Sequence, residues 1–342
     1  MQDQPIINTS LGSRTQGAIR LVVPGLILTF GLSILAIAIQ RGSGIAGLSP
    51  LVVAMVLGML LRNVVGPIVL VAPGITFSLR RILRFAVILL GFQITFTQVT
   101  AVGLTGLAII VTVLLGTFIF TKNVGRVLGV DVRLSELIAA GTSICGASAV
   151  IACNTVTHGS DEDVAYAVAC VTVFGSISML VMPPLGIRLG LAPETYGFWV
   201  GTAVHEVAQV VAAAFTRGEI AGQTGTVAKL SRVILLAPMI LSLGVLAARR
   251  TSDEMSAKAP MPWFVFGFIA IVVVNSVIDL PAAWRGPIVT TTSFLLTVAL
   301  AAMGFETDVR KLWLKGLSPL LLGAIASLFI ASFGLLLIAV FM

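Results

Sequence analysis

Long apolar runs separated by short polar connections make up almost the whole chain. About 20 apolar residues suffice to cross a bilayer as a helix. Runs of that kind lie near residues 18–39, 48–65, 74–95, 99–121, 134–157, 163–187, 195–215, 228–248, 262–280, 287–305 and 317–341. The pattern predicts an all-α polytopic membrane protein of about eleven transmembrane helices, with residues 1–17 a polar N-terminal segment and 18–342 a single transmembrane domain. The piece from Pro67 to Pro73 reads as an interfacial turn or part of a broken helix. Ala36-Ile37-Ala38 resembles a signal-peptidase site, but its run is long for a signal peptide and many spans follow, so it is read as a membrane helix.

Two runs break the apolar pattern. Between Tyr196 and Phe215, His205, Glu206 and Gln209 interrupt a segment otherwise built mainly from Val, Ala and Gly. A charge at bilayer depth costs on the order of 3 kcal/mol or more unless a partner or a water-filled cavity receives it, so these residues are candidate site residues. Packing does not require a His-Glu pair; a substrate or proton site does. The second run holds Gly141, Thr142, Ser143, Cys145, Gly146, Ala147 and Ser148 within two helical turns. Such small and hydroxylated residues serve either a close-packed helix face or a helix break. A break would expose backbone N–H groups at the positive end of its second half, which suits an anion.

Composition places the chain in a membrane. Of 342 residues 58% are hydrophobic and 10% charged, against about 45–50% and about 25% in soluble proteins. The net charge of +7 does not point to nucleic acid, because Lys and Arg lie in the connections between apolar runs. They test the topology instead, since short cytoplasmic loops collect them. With the N-terminus inside, sixteen fall inside: Arg14, Arg20, Arg62, Arg80, Arg81, Arg84, Lys122, Arg126, Arg133, Arg188, Arg249, Arg250, Lys258, Arg310, Lys311 and Lys315. Five fall outside: Arg41, Arg217, Lys229, Arg232 and Arg285. An N-in, C-out chain follows, with the acidic turn His158–Asp163 outside. Cys145, Cys153 and Cys170 lie in apolar runs without metal-ligand spacing, so they read as structural.

Two internal echoes suggest duplication. Gly91-Phe92-Gln93 with Gly103 recurs as Gly304-Phe305-Glu306 with Gly316, on helices running in opposite directions, as in the inverted repeats of secondary transporters. The stretch from Gly141 to Ala152 also aligns with that from Gly201 to Ala212, at a different offset.

An enzyme reading is weak. His205-Glu206-Val207-Ala208-Gln209 approaches the HExxH zinc-protease pattern, but Gln209 replaces the second histidine and His158 lies in a loop. No metal or cofactor is expected. A serine or cysteine hydrolase would need Ser143 or Cys145 to meet His205. Lys229 and Arg232 share a helix face and are anomalies of the charge rule; they either snorkel to the outer interface or attract an anion toward the path.

The segments Thr142–Val150, Thr202–Ala213, Lys229–Pro238 and Gly304–Asp308 together resemble the YeiH-type family of bacterial inner-membrane proteins, to which a sulfate-exporter label is attached. The likeness runs in order from about Leu21 to Leu337. Cys145-Gly146-Ala147-Ser148, followed by a helix closing in Pro183-Pro184, is more distantly similar to the broken helix of bile-acid-symporter and sodium/proton-antiporter carriers. That likeness implies discontinuous helices crossing near the midplane between a core and a panel domain.

The resulting expectation is a secondary transporter of a small anion, sulfate or another sulfur oxyanion, in the inner membrane. Thr142, Ser143, Cys145, Gly146, Ala147, Ser148, Thr202 and Gln209 would line the site; His205 and Glu206 would couple it to protons or cations. A passive anion channel and a non-transporting sensor or scaffold are the competing classes. Expected partners are the anion and membrane lipid, not nucleic acid, with homodimerisation open.

Overall fold

The computed structural model describes residues 11–43, 49–95, 97, 100, 102–248, 263–278, 281–310 and 315–342. The described residues are helical nearly throughout and contain no strand. In chain order the first helices are α1 (Leu11–Ser43), α2 (Pro50–Val65), α3 (Ala72–Phe77) and α4 (Leu83–Leu90), the last two joined by a π turn at Ser78–Ile82. The middle of the chain forms α5 (Gly103–Val127), α6 (Val132–Ser143), α7 (Ala147–Thr157), α8 (Asp161–Arg188), α9 (Pro193–Ala203) and α10 (Val207–Phe215). The remainder forms α11 (Glu219–Ile234), α12 (Leu236–Ala248), α13 (Trp263–Val277), α14 (Ala282–Glu306) and α15 (Leu317–Phe341). Among the described residues, six stretches are long and apolar enough to cross a bilayer: residues 21–43, 103–127, 161–188, 219–245, 283–306 and 317–341. Their outward faces carry large apolar side chains such as Leu104, Ile119, Leu328 and Leu336, as helices facing lipid require.

The described residues of the predicted runs are largely helical, but two of the runs turn back instead of crossing. In the α6–α7 pair, Arg133 near the start of α6 donates from Nη1 to the carbonyl of His158 just past the end of α7, at 3.1 Å. The Thr157 hydroxyl donates to Glu136 at 3.1 Å. Both ends of the pair therefore lie together, and the pair is a re-entrant hairpin. In the α9–α10 pair, the Tyr196 hydroxyl donates to the Ala213 carbonyl at 3.0 Å, and Arg217 stands over the Tyr196 ring at 5.1 Å. This pair is a hairpin too. The expected crossing helices are replaced by two hairpins because each half-helix is too short to span alone, and the break between halves reverses the chain.

The hairpins enter from opposite ends of α8. Hairpin one has its mouth beside the N-terminus of α8, where Ser160 and Asp163 form a capping box. Hairpin two has its mouth beside Gly186 near the other end, where an added Cβ would strike the Tyr196 ring. Lys315 pairs with Asp163, so the α14–α15 connection lies at the same end as hairpin one. The eleven-crossing scheme puts these two residues on opposite faces, and the ion pair overturns it. The helix α8 also runs through Pro183 and Pro184 to Arg188 instead of closing at the prolines.

Helix packing separates two groups. In one, α2 lies against α14, with Gly58 and Gly304 each facing the partner's backbone so closely that a Cβ would collide with it; Gly25 and Gly74 do the same between α1 and α3. Small residues of this kind let membrane helices approach without a hydrophobic driving force. The other group, α5 to α12 with α15, holds both hairpins, and its links to the first are sparser. The Gly91–Gln93 and Gly304–Glu306 echoes both close helical segments, and Gly103 and Gly316 both start the next helix with positive φ, +59° and +83°. Arg249, Arg250, Lys258, Lys311 and residues 1–10 lie outside the described residues; α1 itself begins at Leu11, within the segment expected to be polar and loose.

Candidate functional site

Each hairpin turns inside the protein, and each turn strands backbone groups. A helix leaves its last carbonyls and first N–H groups without intrahelical partners, so two breaks at this depth create two sets of each. The offset that aligns the Gly141 and Gly201 stretches also aligns the breaks: Ile144 and Val204 close the first halves, Ala147 and Val207 open the second.

The stranded carbonyls are met by two cations from α11. Lys229 Nζ donates to the carbonyls of Ile144 (2.7 Å) and Val204 (2.8 Å), one from each hairpin. Arg232 donates from Nε to Ser143 O (3.2 Å), from Nη1 to Gly201 O (3.3 Å) and Thr202 O (2.6 Å), and from Nη2 to Thr142 O (3.0 Å) and Ser143 O (2.6 Å). Both side chains are 0% exposed. Snorkelling to an interface is therefore ruled out. The desolvation of each cation costs several kcal/mol; charge-assisted hydrogen bonds of about 1.5–3 kcal/mol each, aimed at the negative ends of two helices, offset it.

The stranded N–H groups are met by one carboxylate. Glu206 Oε1 accepts the Ala147 N–H at 2.6 Å, so hairpin two caps the second half of hairpin one. The approach is possible because Gly146 has no side chain: a Cβ there would fall on the Glu206 carboxylate, and its φ of +71° favours glycine independently. Glu206 donates its own N–H to Gln209 Oε1 (3.2 Å), while Gln209 Nε2 donates to Thr172 O (3.1 Å) and Ser176 Oγ (3.3 Å) on α8. His205 is fully buried; its Nε2 lies 3.2 Å from Ser327 Oγ on α15 and its Nδ1 has no hydrogen-bond partner among the described residues.

Most of the expected site residues thus converge, with changed roles, while Ser148 stays apart from the cluster. Thr142, Ser143 and Thr202 contribute carbonyls; the Thr202 hydroxyl turns back to Trp199 O at 2.9 Å. Cys145 is buried beside the break, Ala147 supplies a donor, and Ser148 is exposed. Lys229 and Arg232 sit at the centre. Ser327, Thr172 and Ser176 are not among the residues that the sequence singles out; the last two are four apart, on one face in the apolar middle of α8, a signal open to sequence reading. Among the described residues no group of three His, Cys, Asp or Glu side chains could hold a metal ion.

The family model of Conserved hypothetical protein 698 matches residues 24–323. The UPF0324 membrane protein PA5383 of Pseudomonas aeruginosa is 37% identical over 330 residues, 92% of this chain and 93% of that protein. The UPF0324 inner membrane proteins YeiH of Salmonella typhi and Escherichia coli are 39% and 37% identical over 314 and 317 residues, covering 88% and 89% of both chains. No solved structure matches the chain.

Proposed function

The chain belongs to the YeiH-type family of UPF0324 membrane proteins, and we propose that it is a secondary transporter of a small anion. One observation carries the reading: two re-entrant hairpins from opposite ends of the protein meet at a buried cluster that gathers two cations, Lys229 and Arg232, and a single carboxylate, Glu206. A site built from helix ends and reachable from either side through the movement of a hairpin is what alternating access needs, and its excess positive charge selects an anion. Sulfate or another sulfur oxyanion is the substrate suggested by the family resemblance. Glu206, with His205 beside it, is the coupling group.

The orientation is N-terminus cytoplasmic and C-terminus periplasmic, in the inner membrane where the YeiH relatives are named. With both hairpins turning back, the His158–Asp163 turn moves to the cytoplasmic side and Arg188 to the outer side, while Lys229 and Arg232 leave the outer set. The inner excess of Lys and Arg survives, and an odd number of crossings is kept.

Proteoliposomes holding the purified protein test the reading. Radiolabelled sulfate, sulfite or thiosulfate should accumulate saturably against its gradient when a proton gradient is imposed. Equilibration without accumulation would identify a passive channel; absence of any movement would leave a sensor or scaffold.

A further inference from the structure

The Glu206 carboxylate stands where an anion would bind. It lies on the N–H at the positive end of α7, an eleven-residue helix, through a 2.6 Å contact reached from the other hairpin. We propose that Glu206 is a tethered substitute for the substrate, so that a doubly charged oxyanion binds only together with one proton, which neutralises Glu206 and releases the Ala147 N–H. The inference deepens the transporter reading and rests on it for the existence of a substrate.

Three observations point to a ligand at this place. The first is the vacancy kept by Gly146, whose missing side chain is what admits an oxygen to the Ala147 N–H. The second is His205 Nδ1, wholly buried and without a partner among the described residues. Its Nε2 is turned to Ser327, so Nδ1 is the ring nitrogen left to take a further partner, on the residue next to Glu206. The third is charge. Around Glu206 stand Lys229 from α11, Cys145 and the Ala147 N–H from hairpin one, and His205 and Gln209 from its own hairpin; Arg232, further along α11, adjoins Lys229 and Cys145. With Glu206 ionised the cluster holds two cations and one anion. Neither cation forms an ion pair among the described residues; both spend their donors on carbonyls.

Adding an oxyanion beside an ionised Glu206 would set like charges against one N–H in a low-dielectric site, which disfavours both. If Glu206 takes a proton from solution, its carboxyl group gives up the Ala147 N–H and the oxyanion accepts it. Lys229 and Arg232 then balance a double negative charge fully, whereas chloride or nitrate would leave one positive charge uncompensated. Nothing is oxidised or reduced: one proton and one dianion enter, and both leave together.

Titration calorimetry of the purified full chain with sodium sulfate, in two buffers of different ionisation enthalpy, reads the proton directly. The expected result is uptake of about one proton per sulfate, with affinity falling about tenfold per pH unit on the alkaline side, the slope that one linked proton requires. Glu206→Gln, which is neutral at every pH, should bind sulfate without proton uptake and with a flat pH profile, tighter than the native protein at about pH 8. Sulfate binding without proton uptake, an unchanged pH slope in Glu206→Gln, or no sulfate binding by either protein would overturn the proposal. Should Glu206→Gln fail to fold, the two-buffer measurement on the native protein decides alone. Proton-linked binding without movement in proteoliposomes would defeat the transporter reading and leave this inference standing; sulfate transport without proton uptake on binding would do the reverse.

Discussion

The two hairpins share a geometry and divide the chemistry. Hairpin one turns on Gly146 with a left-handed φ, and its tip of Cys145, Gly146 and Ala147 offers little beyond backbone. Hairpin two turns without any positive φ, through extended backbone at Val204 and Glu206, and its tip carries His205, Glu206 and Gln209. One tip supplies an N–H donor at a helix end, the other a group that can change charge. The contrast continues at the mouths. Hairpin one is held by charged contacts, Lys122 to Glu136 (2.7 Å) and Arg133 to His158 O, and hairpin two by a phenol hydroxyl and an arginine over its ring. A fixed donor can be presented by a tip of almost any mobility, but a titrating group must be held so that its proton changes the contact; hairpin two is accordingly the more deeply buried of the two.

Arg232 is where the two hairpins depend on each other, so removing it should have the largest effect. Arg232→Ala orphans carbonyls at the ends of both α6 and α9, each costing about 1–3 kcal/mol when buried unpaired. The expected outcome is loss of monodisperse protein after detergent extraction. Arg232→Lys, which keeps the charge and loses the planar fork, should recover part of the fold with a lower unfolding temperature. Recovery of full stability by Arg232→Ala would mean that the carbonyls find other partners and that the hairpins are not joined through α11.

Gly146→Ala comes next, acting from the tip of the first hairpin on its contact with the second. The methyl group meets the Glu206 carboxylate and forces an unfavourable φ, a combined cost on the order of 3 kcal/mol. The same change at Gly201, whose Cβ would meet α11 at Gly225 and Ala228, should also destabilise, but without uncoupling Ala147 from Glu206. Thermal unfolding of both variants with and without sulfate distinguishes them: only the Gly146 variant should lose the effect of sulfate.

Much of this was open to sequence reading and some was not. The first break was legible as one of two readings of the small residues from Gly141 to Ser148, the other being a close-packed face; at the second, the His-Glu pair marked a site, and only the distant family likeness implied a break. The reversal at each break was not. Two half-helices of Val132–Ser143 and Ala147–Thr157 add up to the length of one crossing helix, so hydropathy cannot tell a span from a hairpin. Only contacts such as Arg133 to His158 and Tyr196 to Ala213 decide it. Lys229 and Arg232 were visible as exceptions to the charge rule, yet their acceptors are backbone carbonyls far away in sequence, which no residue type announces. The partner of His205, Ser327, is one of three serines in α15, and nothing in the sequence sets it apart from Ser318 and Ser332.

At the mouth of hairpin two, Tyr196→Phe removes the hydroxyl that reaches Ala213 and keeps the ring under Arg217. One neutral hydrogen bond of this kind contributes about 1 kcal/mol, so the unfolding temperature should fall by a few degrees with the fold intact. A larger loss would show that the mouth of hairpin two, and not its tip, holds it closed.

The smallest energetic effect is expected at the mouth of hairpin one. Lys315 and Asp163 keep 26% and 13% of their side chains exposed, and partly solvated pairs contribute about 1 kcal/mol at most. Lys315→Ala should therefore be nearly neutral, while Asp163→Ala should cost somewhat more, because Asp163 also accepts hydrogen bonds from the Ser160 N–H (3.1 Å) and hydroxyl (2.8 Å) in the cap of α8. The value of the pair lies in its sidedness. Replacing both residues by cysteine should allow a short bifunctional maleimide to join them in native membranes, since the three native cysteines are buried. In a chain crossing eleven times the two positions lie on opposite faces, and no linkage can form. A cross-link between them, together with none between Lys315→Cys and Arg188→Cys, places the mouth of hairpin one beside the α14–α15 connection and that of hairpin two at the far end. The opposite result would return both segments to full crossings and dissolve the contrast between the hairpins.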